Sequence, residues 1–112
     1  MKTNKKLVLG MLLALQPVGY ALAQESPPND ELNQLIASGR YAEAYTLARS
    51  NLNAWEGDTD FDFLYGMAAI ESGNPNEAVF AFERVAATAD TATERGRARL
   101  ELARERVDLR LR

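Results

Sequence analysis

The densest group of carboxylates in the sequence is Glu56, Asp58, Asp60 and Asp62, alternate residues of one short polar stretch. Spaced acids of this kind are typical oxygen donors for calcium. An EF-hand loop counted from Asp58 needs glycine at its sixth position and glutamate at its twelfth, but those positions hold Phe63 and Ala69. The stretch therefore reads as a solvated connector whose acids also suit the positive N-terminal end of a following helix. Histidine and cysteine are both absent from the chain. That removes the usual general base near neutral pH, the usual nucleophile pairings and most transition-metal ligand sets. No glycine-rich phosphate loop is present either. The sequence thus points to no catalytic residue, no metal site and no cofactor, and binding is the expected activity.

The second charged group is a run of arginines: Arg95, Arg97, Arg99, Arg104, Arg106, Arg110 and Arg112. Glu101, Glu105 and Asp108 lie three or four residues from several of them, so ion pairs along a helix surface account for most of the run. The alternative is docking to anionic lipid or to an acidic partner. Tyr41, Phe63, Tyr65, Phe80 and Phe82 fall in or beside helical segments and are expected in the core. Trp55, at the edge of the polar connector, either covers a hairpin end or presents an anchor to a partner.

The elements that would carry these residues are all helices. Asp30 to Ser38 places Leu32, Leu35 and Ile36 on one face and stops at Gly39, which suits the left-handed conformation that ends a helix. A second helix runs from Tyr41 to about Asn53. Thr59 with Asp62 resembles a capping box opening a third helix that stops at Gly73. Asn74-Pro75-Asn76-Glu77 then predicts a fourth helix to about Ala87, with Asn74 as the cap, Pro75 at the first position and Glu77 reaching back. Thr91 and Glu94 offer a further capping box for a last helix. Its stripe Leu100, Ala103, Val107 and Leu111 is expected to face the preceding hairpin, leaving Leu102 and Leu109 on another side. No strand pattern occurs, so the fold class is all-α.

The helices repeat. Ser38-Gly39 recurs as Ser72-Gly73, and Glu43-Ala44 recurs as Glu77-Ala78, in each case 34 residues later. This period resembles the tetratricopeptide family. Gly39 and Gly73 match its sharp turn between paired helices, and Tyr41 and Pro75 its second-helix start. Ala44 and Ala78 match its small close-packing residue, Phe82 its large second-helix residue, and Tyr65-Gly66 its leucine-glycine pair. Units fall at about 29–58, 59–92 and, partially, 93–112; in the last, Val107 stands where the turn glycine is expected. The resemblance implies a short stack of antiparallel helical hairpins, an α-solenoid of about two and a half repeats.

It further implies a concave groove, lined by the first helix of each hairpin, that holds a peptide or partner protein of unspecified identity. The matching positions are Asn33, Gln34, Asp62, Phe63, Arg99 and Glu101. The stretches 61–66 and 99–104 also look like the repeat regions of exported Gram-negative envelope proteins in which such repeats precede an outer-membrane barrel.

Residues 1–23 read as a cleavable secretory signal: Lys2, Lys5 and Lys6, an apolar run from Leu7 to Leu15, the breakers Pro17 and Gly19, and the small-x-small site Ala21-Leu22-Ala23. The apolar run is about half the roughly 20 residues that a spanning helix needs. Residues 24–29, with Pro27-Pro28, read as a linker before the helical domain at 30–112. The three lysines lie in the leader, so 10 arginines face 16 acids in the remainder, a net charge of −6 that disfavours nucleic acid as the ligand. The expectation is a periplasmic protein-binding scaffold without catalysis. The alternative is an accessory or truncated relative at the outer-membrane surface that acts through its arginine-rich helix, and self-association is a further option.

Overall fold

The computed structural model describes residues 26–111. The leader reading at 1–23 lies outside them. Among the described residues there are five helices and no strand: α1 (Asn29–Ala37), α2 (Tyr41–Trp55), α3 (Thr59–Glu71), α4 (Pro75–Thr88) and α5 (Ala92–Leu111). None is long and apolar enough to cross a membrane.

The repeat seen in the sequence is a repeat of turns. Gly39 closes α1 at φ 75° and Gly73 closes α3 at φ 86°, a region that costs an L side chain about 1–2 kcal/mol. Around the first, the Gly39 amide donates to the Ile36 carbonyl (3.0 Å) and the Arg40 amide to that of Leu35 (2.8 Å). Around the second, Gly73 donates to Ile70 (3.1 Å) and Asn74 to Ala69 (2.7 Å). Two bonds in the same register thus satisfy carbonyls that a bare helix end would leave open, and reverse the chain within two residues. Tyr41 and Pro75 begin the returning helices, Pro75 at a position where its missing amide costs nothing.

Starting caps differ from expectation at two places. The cap of α3 is Asp58, whose carboxylate accepts from the Phe61 amide (2.9 Å), in place of Thr59. A carboxylate can reach that amide from one residue earlier and adds a charge favoured by the helix dipole. Asn74 makes no side-chain cap to α4; its amide group donates to the Ser72 carbonyl and hydroxyl instead. Thr91 does cap α5, accepting from the Glu94 amide at 3.2 Å.

Alanines set the spacing of the hairpins. Ala44 and Ala48 on α2, Ala68 and Ala69 on α3, and Ala78 and Ala81 on α4 are fully buried, so the helices approach closely and Leu32, Phe61 and Phe82 fill the space between them. α1 packs on α2 and α3, and α4 on α3 and α5. Central α3 is buried on several sides, by Phe61, Asp62, Tyr65, Gly66, Ala68 and Ala69. Trp55 is half-buried against this core, at the end of the first hairpin. A polar link ties the hairpins: Glu77 on α4 accepts from the Tyr45 hydroxyl and the Arg49 guanidinium on α2. Glu77 is therefore engaged across the stack and does not reach back to its own cap.

α5 reverses the expected facing. Ala98, Leu102 and Glu105 are buried, with Leu109 half-buried on the same side, whereas Leu100, Val107 and Leu111 are 51%, 57% and 81% exposed. The physical reason lies at the C-terminal end of α4, where Val85 and the capping Ala89 form a buried cluster with Ala98. The Arg95 guanidinium bonded to the Ala89 carbonyl (2.8 Å) fixes the helix at its start. Phe80, expected in the core, is 62% exposed on α4, because Ala81 and Phe82 take the inward positions.

Candidate functional site

The odd-numbered helices meet at a cleft of about 370 Å³. α1 contributes Asn29, Asp30 and Asn33; α3 contributes Thr59, Asp60, Phe63 and Leu64; α5 contributes Glu94 and Arg97; and Val85 of α4 closes the bottom. The sequence dictates this grouping locally. Each glycine turn sends the second helix of a hairpin to the far side, so α1 and α3 lie together with α5 following.

Phe63 organises the cleft floor. Its ring meets that of Phe82 edge-on, centroids 5.5 Å apart at 61°, and the Arg97 guanidinium lies 4.4 Å from its centroid. A cation over an aromatic face is held by the ring quadrupole, worth about 0.5–1 kcal/mol at an exposed site. Arg97 is thereby held in the cleft lining, which also includes Asp30, Asp60 and Glu94, three carboxylates to one guanidinium. The Asn29 side-chain oxygen is buried without a hydrogen-bond partner, an acceptor already stripped of water at the cleft edge.

Of the six groove positions taken from the sequence, the structure brings Asn33 and Phe63 together in this cleft. Gln34 is exposed beside it on α1, where its backbone carbonyl accepts from Ser38. Arg99 is exposed on the outer side of α5, and Glu101 pairs with Arg104 at 3.2 Å. Asp62 is a correction. It has no exposed surface, accepts from the Gly57 amide (2.8 Å), and takes two bonds from Arg84, from Nε at 3.1 Å and Nη2 at 2.8 Å. It faces inward because Phe63, one residue on, takes the cleft side, and 100° of helical rotation separates neighbours. Burial of the Arg84 guanidinium works to lower its proton affinity, yet the hydrogen bond and charge of Asp62 override that, and its pKa is raised. Asp62 thus locks the 56–58 connector to α4 and is closed to a ligand.

No protein-family model, curated protein or solved structure matches the chain.

The residues that sequence reasoning missed are Asp60, Glu94 and Arg97, with Asn29 and Asp30 at the N-terminal edge. Their signal was the 34-residue period itself. Asp60 and Glu94 are 34 apart, as are Phe63 and Arg97, so equivalent positions of successive first helices converge on one cleft.

Proposed function

We propose that this protein is an exported tetratricopeptide-type scaffold, periplasmic and without catalytic activity, that holds an extended segment of a partner protein in its α1–α3–α5 cleft. The observation that carries the reading is the convergence of three first helices on one cavity with an apolar floor and a polar rim. Its volume sits at the lower end of that of ordinary ligand pockets, space for a few side chains rather than a folded domain. Phe63, Leu64 and Val85 offer an apolar seat. Asp30, Asp60 and Glu94 outweigh Arg97 and favour a segment with a cationic residue next to an apolar one. Asn29 and Asn33 supply amide groups able to pair with the backbone of an extended chain.

Titration with a panel of short peptides that vary charge and apolar content tests the proposal. Peptides pairing Lys or Arg with Leu or Phe are expected to bind, with affinity falling as salt rises. Asp60→Lys and Phe63→Ala are each expected to weaken them about tenfold or more, by charge reversal and loss of the floor. Equal binding of acidic peptides, or indifference to both substitutions, refutes the cleft as the site.

A further inference from the structure

Along the outer face of α5, Leu100, Ala103, Val107 and Leu111 form one straight stripe. A shallow depression lined by Ala103, Arg104, Val107, Asp108 and Leu111 follows its C-terminal half. The repeat register shows what this face corresponds to. The residues 34 positions before Leu100 and Ala103 are Gly66 and Ala69, and 34 before Gly66 is Leu32. Leu32, Gly66 and Ala69 are all buried. Gly66 lies directly against the Phe82 ring, the contact by which α3 receives the second helix of its own hairpin. In α5 the same face is open to solvent.

Charge identifies what fits it. Helical geometry puts Arg99, Arg106 and Arg110 along one edge of the stripe, and Arg97 and Arg104 along the other together with Glu101 and Asp108. Five cations border the seam against Glu101 and Asp108, with Arg104 paired to Glu101 and Arg106 to Glu83 of α4 at 3.2 Å each and Arg97 held over Phe63, so Arg99 and Arg110 carry the cationic surplus. In an antiparallel pair of two copies, the all-arginine edge would face its own counterpart, which opposes self-pairing. A membrane surface is matched by a broad apolar face with large aromatic or leucine side chains, whereas this stripe is the narrow seam of a helix pair.

We propose that the outer face of α5 docks one amphipathic helix of a partner protein, with an apolar seam flanked by Asp and Glu, in the place that α4 occupies on α3. The docked helix completes the third hairpin in trans. This surface adjoins the cleft at Arg97, and its seam residues Leu100, Ala103, Val107 and Leu111 lie outside the cleft lining.

The test uses the full chain and two synthetic helical peptides with leucines spaced three and four apart, one flanked by glutamates and the other by lysines. Calorimetric titration is expected to show binding of the glutamate peptide alone. Leu100→Glu with Val107→Glu is expected to weaken it about tenfold or more, with the helical circular dichroism and melting temperature retained because both sites are exposed. Arg99→Glu with Arg110→Glu, also exposed, is expected to do the same. Equal binding of the lysine peptide, or binding of neither peptide, overturns the proposal. So does adsorption to phosphatidylglycerol-containing vesicles that the Leu100/Val107 variant abolishes, or a dimer in sedimentation equilibrium that the same variant dissolves.

Discussion

Replacing Gly66 by alanine sets two well-defined effects against each other. Glycine inside a helix costs about 1 kcal/mol relative to alanine, so on propensity alone the substitution stabilises α3. The added Cβ, however, would stand 2.6 Å from Cε1, 2.7 Å from Cζ and 3.0 Å from Cδ1 of Phe82. Ordinary contact begins near 3.4 Å, so the ring must retreat by about 0.8 Å. It has nowhere to go: Phe82 is fully buried and braced edge-on by Phe63. Overpacking of this kind costs about 1–3 kcal/mol, and a locked ring belongs at the upper end. The net expectation is a loss of about 1–2 kcal/mol, which for a domain of this size lowers the melting temperature by about 4–16 °C. Urea unfolding followed by circular dichroism measures it. Adding Phe82→Leu should recover part of the loss, giving a coupling of about 0.5 kcal/mol or more in the double-mutant cycle. A Gly66→Ala protein as stable as the parent, or more so, refutes the view that the hairpin closes on a glycine-to-ring contact.

Asp62→Ala leaves Arg84 and the Gly57 amide without their acceptor and should cost about 2–3 kcal/mol, below the range for fully buried pairs because Arg84 is 29% exposed; denaturant midpoints of the variant and of Asp62→Ala/Arg84→Met, which should be the more stable of the two, check it. Asp58→Ala removes the α3 cap and should cost about 1 kcal/mol by the same measurement. Alkaline pH should destabilise the fold through two phenols. The pKa of Tyr45 is raised by its hydrogen bond to Glu77 and then by burial, and that of Tyr65 by burial first. Above the ordinary value of 10.0 the unfolded chain sheds these protons before the folded one does, so their contribution is complete below pH 10.0 and lost as pH climbs through the folded values. Urea midpoints taken on either side of pH 10.0 should therefore fall on the alkaline side, and Tyr45→Phe should flatten that fall.

The helices and hairpin turns were legible because they depend on neighbours: Gly39 and Gly73 need only their own φ and the preceding turn. Asp62 was misread because its partner, Arg84, is 22 residues away, and no local pattern announces which acid will find a cation across a hairpin. Glu77 was misread for the same reason, since Tyr45 and Arg49 outcompete its own helix start. In α5 the apolar residues occupy two opposite sides, so periodicity alone gives two answers. The α4 surface chooses between them, drawing in Ala98 and Leu102 with the carboxylate Glu105 beside them and leaving Leu100 outside. Four of the six groove positions, Gln34, Asp62, Arg99 and Glu101, lie outside the cleft because residues adjacent on a helix diverge, whereas those a full repeat apart, such as Asp60 and Glu94, converge.

The enclosure of α3 has a consequence in time. A helix walled in by its neighbours cannot open until they part, so its backbone amides exchange with solvent deuterium only through events that expose the whole core. The C-terminal turns of α5, bearing exposed Val107 and Leu111, can fray without disturbing anything else. Exchange should accordingly be slowest around Tyr65 to Ala69 and quicken outward toward Leu111, dividing a small chain into a lasting centre and a rapidly renewed rim.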